Sequence, residues 1–215
     1  MNAAEIAATA ALIESVRKIG KDWLGPIIDD VVAGIRSKTT ARWHLKNLLD
    51  LLEIAVIEIE NRGLRPEHLS VVLREIVPIL EAAADEDDES IRDMWARLLA
   101  NALDPSVSTS AVNIASILRQ ITPREALILH QVWLLDGGGR SAGVDASEVA
   151  RTIGLDSSNP DFEAMLFHLK LMGLVEGRIQ HAITRGNLVL PVGPSPTDRL
   201  SVSPLGELLI KLTHT

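Results

Sequence analysis

The sequence lacks cysteine and tyrosine altogether, and only 3% of its 215 residues are aromatic. Without cysteine the chain forms no disulfide, no thiolate metal site and no cysteine nucleophile, so a reducing cytoplasm is its expected location. Few aromatic side chains are available to stack on the bases of single-stranded nucleic acid. These absences disfavour secreted disulfide proteins, redox proteins and single-strand binders.

Long apolar runs and clusters of positive charge are also absent. No uncharged apolar run approaches the roughly 20 residues that a membrane-spanning helix needs, and Glu5 stands where a signal peptide would be basic. The formal net charge is −8, which disfavours a protein that holds long stretches of nucleic acid. Because 47% of the residues are hydrophobic and 23% are charged, a folded chain is expected. We expect a soluble cytoplasmic protein with no membrane span.

The best-defined element is the segment 85–105, DEDDESIRDMWARLLANALDP. Acidic residues occupy its start, where they favour the positive end of a helix dipole, and Asp104-Pro105 prevents the helix from continuing. Arg92, Asp93 and Arg97 occupy the polar face. The apolar residues recur at helical spacing and predict one buried face: Ile91, Met94, Trp95, Leu98, Leu99 and Ala102.

A second predicted helix, 43–60, is unusually apolar. Its polar residues Lys46, Asp50 and Glu53 form one narrow stripe, and leucine and isoleucine cover the rest. Such a helix is either buried on most sides or used as an interface between copies. On the second alternative, Leu48 and Leu52 are candidate contact residues and the protein is a homo-oligomer.

A second domain is predicted to begin at residue 122. Thr122, Pro123 and Glu125 make a capping box, which marks a helix start, and the pattern recurs at Asp145 and Glu148. We therefore divide the chain into an all-α domain, 1–121, and a winged-helix domain, 122–215. The fold class is mainly α, with an all-α domain followed by a winged-helix (α+β) domain. The predicted winged-helix elements are helices 124–135, 146–153 and 161–172, wing segments 174–175, 178–184 and 188–192, and a closing helix from Ser203-Pro204.

The third helix of this domain indicates what the domain binds. Its outward side offers Phe167 and Leu171, and its leading end carries Asp161 and Glu163. A DNA-recognition helix needs Arg, Lys, Asn or Gln at base edges and positive charge towards phosphate. We therefore expect Phe167 and Leu171 to dock protein, either the helical domain or a second copy, without sequence-specific DNA binding. The alternative, weak DNA contact through the wing, would use Arg178, Arg185 and Arg199.

No catalytic, metal or cofactor site is predicted. The acidic run before Ile91 is better explained by the helix dipole than by a bound divalent cation. Arg124 and His130 resemble the Arg–His signature of HEPN ribonucleases, but such a pair arises readily by chance. The glycine-rich segment 137–142 follows a helix, whereas a dinucleotide loop follows a strand.

Four blocks of the sequence together resemble a known family: GPIIDDVVAG, RWHLKNLLDLLEIA, PILEAAADEDDESIRDMWARLLANALDP and ILRQITPREALIL. They are similar to the Abi-alpha (abortive infection alpha) family of bacterial anti-phage proteins over about residues 24–129. The acidic block that runs into WARLLANALDP is its most specific part. The resemblance implies a role in abortive infection, in which an infected cell stops growing or dies before phage matures, and it transfers no catalytic residue.

We therefore predict a non-enzymatic interaction or effector module that acts through protein–protein contacts, with an unidentified host or phage protein as partner. Two alternatives stay open: a winged-helix DNA-binding transcriptional regulator and a nuclease effector.

Overall fold

Helices make up most of the fold, as the apolar spacing predicts, and the mainly helical fold class is confirmed. The computed structural model describes residues 3–36, 40–69, 72–107, 111–138, 143–177, 182–185, 188–191 and 199–214. Within these ranges, the helices are α1 (Ala3–Leu24), α2 (Ile27–Arg36), α3 (Ala41–Asn61), α4 (Leu73–Ala84), α5 (Glu89–Leu103), α6 (Ala111–Leu118), α7 (Pro123–Leu135), α8 (Ala146–Thr152), α9 (Pro160–Leu171) and α10 (Pro204–His214). None of these described helices is long and apolar enough to cross a membrane.

The first of two compact units comprises Met1–Gln120 together with Leu212–Thr215, and it is built around α3 and α5. Helix α3 packs against α1, α4 and α5, and α5 also packs against α4 and α6. The core of these two helices is apolar and almost fully buried: Leu45, Leu48, Leu51, Leu52, Ile59, Ile91, Trp95, Leu98 and Leu99. The predicted buried face of the 85–105 helix is therefore present in the structure.

Helix α5 starts and ends at polar residues that satisfy backbone groups. Asp88 is the N-cap residue, and its Oδ1 accepts hydrogen bonds from the backbone N–H groups of Ser90 (2.9 Å) and Ile91 (3.2 Å). Near the other end, the Asn101 side-chain amide donates to the Leu212 carbonyl oxygen (2.9 Å), one of the last carbonyls of α10. These contacts fix where α5 begins and what its carboxyl end touches.

Helix α4 differs from its predicted extent. The apolar spacing suggests a helix from Pro66, but Pro66–His68 form only a single 3-10 turn, and α4 begins at Leu73. Val72 is in extended conformation (φ −99°, ψ 101°), and Leu73 is 59% exposed. The helical spacing of apolar residues before α4 therefore does not correspond to a buried helix face. Pro78 lies inside α4 without dividing it, although a proline is expected to kink or split a helix.

The second unit, Ile121–Lys211, begins at the predicted capping box. Thr122 Oγ1 accepts a hydrogen bond from Glu125 N (3.3 Å), and Glu125 Oε2 accepts one from Thr122 N (2.7 Å), so both halves of the box are present. The second predicted box is wrong. Asp145 precedes α8 but makes no capping hydrogen bond, and its Oδ1 lies 4.0 Å from Arg199 Nε instead.

Two small antiparallel sheets complete the described part of the second unit. Strand β5 (Arg199–Val202) lies between β1 (Val144–Asp145) and β2 (Val175–Gly177), with Val144 opposite Leu200 and Val175 opposite Val202. Strands β3 (Ala182–Arg185) and β4 (Leu188–Pro191) pair with each other, which is the predicted pairing of segment 178–184 with segment 188–192 over their described residues. The first predicted wing segment therefore joins β5, because that pairing buries Val175 and Leu200.

Candidate interaction surfaces

Helix α9 in the second unit has a buried core face and an exposed outer face. Asn159 caps it by accepting a hydrogen bond from Asp161 N (2.8 Å), and Pro160 occupies its first position. Phe162, Leu166 and Leu169 fill the core and are at most 1% exposed. The inner side of α9 is thus fully used by the fold.

The outer side of α9 presents the two residues that the sequence singled out. Phe167 is 50% exposed and Leu171 is 69% exposed, and they lie one helical turn apart. We call Phe167 and Leu171 the apolar pair. Large apolar side chains left in water at adjacent positions are typical of surfaces that bind a partner, although single exposed residues are ordinary.

A buried carboxylate ties α9 to α7 directly beside the apolar pair. Glu125 Oε1 lies 2.7 Å from Nδ1 of His168, and the Glu125 side chain is only 5% exposed. The other carboxylate oxygen completes the capping box of α7. One side chain thus holds the start of α7 and the middle of α9 in a fixed relation, which makes the apolar pair a rigid feature of the surface.

The two other candidate contact residues lie in the core. Leu48 is fully buried and Leu52 is 2% exposed, because α3 is covered by neighbouring helices on the side that carries them. Neither side chain has surface left for a partner, so the interface hypothesis narrows to the apolar pair. The exposed apolar residues of α3 are Trp43 (39%) and Ile57 (57%).

Residues 44–188 match the family model for abortive infection alpha. The chain belongs to the abortive infection alpha family. This confirms the resemblance drawn from the sequence, and membership suggests a role in phage defence. The comparisons with curated proteins and with solved structures gave no significant match.

The abortive infection alpha match spans both units, from α3 to β4. It includes a buried ion pair between Arg92 and Asp50 that the sequence did not predict. Arg92 was placed on the polar outer face, yet it is 8% exposed, and its Nη1 lies 2.7 Å from Asp50 Oδ2. A signal existed, because Asp50 interrupts the run LLDLL in the most apolar helix, and a charge in such a run needs a partner.

The acidic run of this abortive infection alpha chain has a structural use. The hydrogen bond from the Ser90 hydroxyl has the largest effect and lowers the pKa of the Asp88 carboxyl. Burial opposes this shift, whereas the backbone N–H groups of Ile91 and Ser90 and the charge of Arg92 add to it. Asp88 is therefore the ionised cap of α5. Among the residues that the structure describes, no group of three or more His, Asp or Glu is arranged to hold a metal ion.

Arg124 and His130, the weak ribonuclease motif, lie on different sides of α7. Six positions correspond to about 9 Å along a helix and about 240° around it. Arg124 is exposed in the first turn, whereas His130 is partly buried, and this burial lowers the pKa of its imidazole. The helix does not bring the two side chains to one place.

The three wing arginines are described unequally. Arg199 lies on β5 with its side chain exposed. Arg185 belongs to β3, but its side chain is outside the described part of the structure, and Arg178 lies outside the described residues. On α9 itself, the exposed leading residue is Asp161, which would repel phosphate.

Proposed function

We propose that this abortive infection alpha protein is a non-enzymatic, cytoplasmic effector that acts in phage defence through protein contacts made by the apolar pair. The exposure of Phe167 and Leu171 on a rigidly held helix is the observation that carries the proposal. Family membership supports the biological process. The partner is a second copy of the chain or a host or phage protein.

We further propose that the second unit is a winged helix put to this use. The order of its elements supports that interpretation: helix α7, strand β1, helices α8 and α9, then antiparallel strands. In such a unit α9 corresponds to the third helix, which reads DNA bases in many regulators. Here that helix presents Phe167 and Leu171 outward, so it is suited to an apolar partner surface.

The exposed area of the apolar pair indicates how much binding free energy it could contribute. Full burial of a Phe or Leu side chain stabilises a complex by about 1.5–3 kcal/mol, and the pair is half to two-thirds exposed. Covering both residues is therefore worth roughly 2–4 kcal/mol, the scale of an interface hot spot. In a two-fold dimer each copy would contribute the same pair, so the contribution doubles.

Phage challenge tests the function and the surface together. Cells with the gene, without it, and with a Phe167→Ser/Leu171→Ser variant would be compared for plaque yield and culture collapse. A Leu127→Ser/Leu134→Ser variant is the matched control, because those leucines are 45% and 49% exposed on α7 of the same unit. We expect protection in wild type and control and its loss in the α9 variant.

Two outcomes of that experiment would contradict the proposal separately. Plaque yield unaffected by the gene across a broad phage panel would contradict the defence role. Full protection by the Phe167→Ser/Leu171→Ser variant would contradict the use of the apolar pair, while leaving the defence role in place. Circular dichroism of both variants would show whether each remains folded.

Self-association and DNA binding can be measured on the purified chain. Sedimentation should give an oligomer that the α9 substitutions dissociate, and a wild-type monomer at micromolar concentration and above would contradict a second copy as partner. The DNA-binding alternative is favoured by the element order and by exposed Arg199. Sequence-dependent nanomolar binding to DNA at physiological salt, lost on changing α9, would support that alternative and contradict ours.

A further inference from the structure

A groove of about 800 Å³ lies between α1 and α3 in the first unit. Its α1 wall consists of Ala8, Ala11, Leu12 and Ser15, which recur at helical spacing and so form one stripe. Three of these side chains are too small to fill the space in front of α3. The groove therefore follows directly from the alanine-rich sequence of α1.

The α3 wall combines an apolar floor with positive charge. Trp43 and Leu49 line the floor, and Arg42 and Lys46 stand one turn apart at the rim. Among the residues that the structure describes, Arg42 and Lys46 take part in no ion pair. Asp50 also lines the groove, but its carboxylate is paired with Arg92, so the two cations are left to act together.

The Trp43 wall is held in place from behind. The indole of Trp43 is 39% exposed and contacts the ring of His44 edge-on, with 4.7 Å between ring centroids. His44 is itself buried, and its two ring nitrogens lie 3.0 Å from the Ala84 carbonyl oxygen and 2.7 Å from Thr40 Oγ1. The neighbour of Trp43 is thus fixed to the start of α3 and to the last residue of α4, so this side of the groove is preformed.

We propose that this groove binds a free single-chain anionic amphiphile, of the fatty-acid class. The ligand carboxylate would lie between Arg42 and Lys46, whose cationic groups would donate charge-assisted hydrogen bonds to it. The alkyl chain would follow Ala8, Ala11 and Trp43. A mostly apolar cleft with a few charged groups is the usual form of a site for a small molecule, and the volume of this groove falls in the usual range.

The dimensions favour a small molecule over a peptide. From Ala8 to Ser15 the α1 wall comprises eight residues and is about 10 Å long, which is two helical turns. That length accommodates an extended alkyl chain of medium length but only a short part of a docking helix. The positive rim in a chain of net charge −8 also selects an anionic ligand over a neutral one.

This proposal is tested by titrating the protein with decanoate below the micellar concentration and measuring binding by calorimetry and tryptophan fluorescence. Decanol and butyrate serve as ligands that lack the charge and the long chain, respectively. We expect saturable binding of one decanoate per chain, with much weaker binding of the other two. The Arg42→Gln/Lys46→Gln variant should bind decanoate about tenfold more weakly or worse.

A second variant fills the groove without removing charge. Ala11→Leu places a large side chain in it and should abolish decanoate binding, while Ala10→Leu, on an exposed α1 residue outside the lining, should leave binding unchanged. Lys18→Gln/Lys21→Gln, at two α1 lysines outside the groove, controls for the loss of two positive charges in Arg42→Gln/Lys46→Gln. Circular dichroism of each variant would verify its fold.

The outcomes that overturn the proposal are specific. Absence of saturable decanoate binding would overturn it, as would undiminished binding by Ala11→Leu or by Arg42→Gln/Lys46→Gln. Binding confined to phosphatidylglycerol vesicles would assign the groove to a membrane surface, and binding confined to an acidic amphipathic peptide would assign it to a protein segment. Either result would replace the free amphiphile. None of these outcomes depends on phage defence or on the apolar pair.

Discussion

Removing the carboxylate of Asp50 should destabilise the first unit more than its exposed position suggests. The Arg92 guanidinium is 8% exposed, donates to Asp50 Oδ2 over 2.7 Å and donates to the Asp87 carbonyl oxygen over 3.1 Å. Its Nε is buried without a hydrogen-bond partner among the described residues. Asp50→Asn would therefore remove the carboxylate that pairs with this buried guanidinium, leaving only the weaker attraction of the Asp88 carboxylate.

The expected loss follows from how deeply each partner is buried. Breaking a fully buried ion pair on one side costs about 3–5 kcal/mol. The Asp50 side chain is 31% exposed, so water can reach the substituted position, and we expect roughly 2–3 kcal/mol. Arg92→Met should be less harmful, because an unpaired Asp50 can be hydrated. The double variant should lose less than the sum of both, with a coupling energy of about 1–2 kcal/mol.

Urea unfolding followed by tryptophan fluorescence measures this loss. In a Trp133→Phe background the remaining tryptophans, Trp23, Trp43 and Trp95, all lie in the first unit. With a slope of about 2 kcal/mol per M, Asp50→Asn should lower the unfolding midpoint by about 1–1.5 M.

Glu58→Gln provides the control for this prediction. Its partner Arg97 is 31% exposed at 3.3 Å, so we expect a loss below about 1 kcal/mol. An unchanged midpoint in Asp50→Asn, or exact additivity in the double variant with Arg92→Met, would refute the argument.

Three further predictions concern single residues. Asp88→Ala should cost about 1 kcal/mol at neutral pH. The hydrogen bond from Ser90 lowers the pKa of the Asp88 carboxyl in the folded state, so the ionised cap contributes its full stability above the pKa that Asp88 has in the unfolded chain. Urea titrations at decreasing pH should therefore show the difference in unfolding free energy between wild type and Asp88→Ala shrinking as the pH falls through the folded-state pKa. Gly206→Ala should strongly lower the melting temperature of the second unit, because its Cβ would overlap the Leu174 carbonyl oxygen. Gly34→Ala in α2 meets nothing within 4 Å and should instead stabilise by about 0.5–1 kcal/mol.

Sequence signals that depend only on residues within one helix predicted the helices well. The capping box at Thr122 and Glu125 and the apolar face of α5 are local patterns, and both are present in the structure. The box predicted at Asp145 failed because its carboxylate faces Arg199, a residue distant in sequence. Strand β5 was missed because Arg199–Val202 alternates polar and apolar residues over only four positions, between a proline-rich segment and Pro204, which is too short to be recognised.

The candidate sites were harder to predict than the helices. An apolar helix surface looks the same in sequence whether it faces the protein's own core or a second copy, so Leu48 and Leu52 could not be distinguished from interface residues. Phe167 and Leu171 could be singled out, because the opposite side of α9 was already assigned to the core. The alanine-rich face of α1 produces the groove, but alanine by itself does not show whether such a face borders a cavity or packs closely.

The central position of β5 determines when the three-stranded sheet of the second unit can form during synthesis. β1 and β2 both pair with β5, and β5 is the last of the five described strands to leave the ribosome. The register Val144 opposite Leu200 spans more than fifty residues of chain, so the sheet closes late by loop closure over a long distance. Until then β1 and β2 present unpaired edges, the kind of surface on which newly made chains aggregate. Slow or interrupted translation before residue 199 should therefore yield insoluble chains even when every helix has formed.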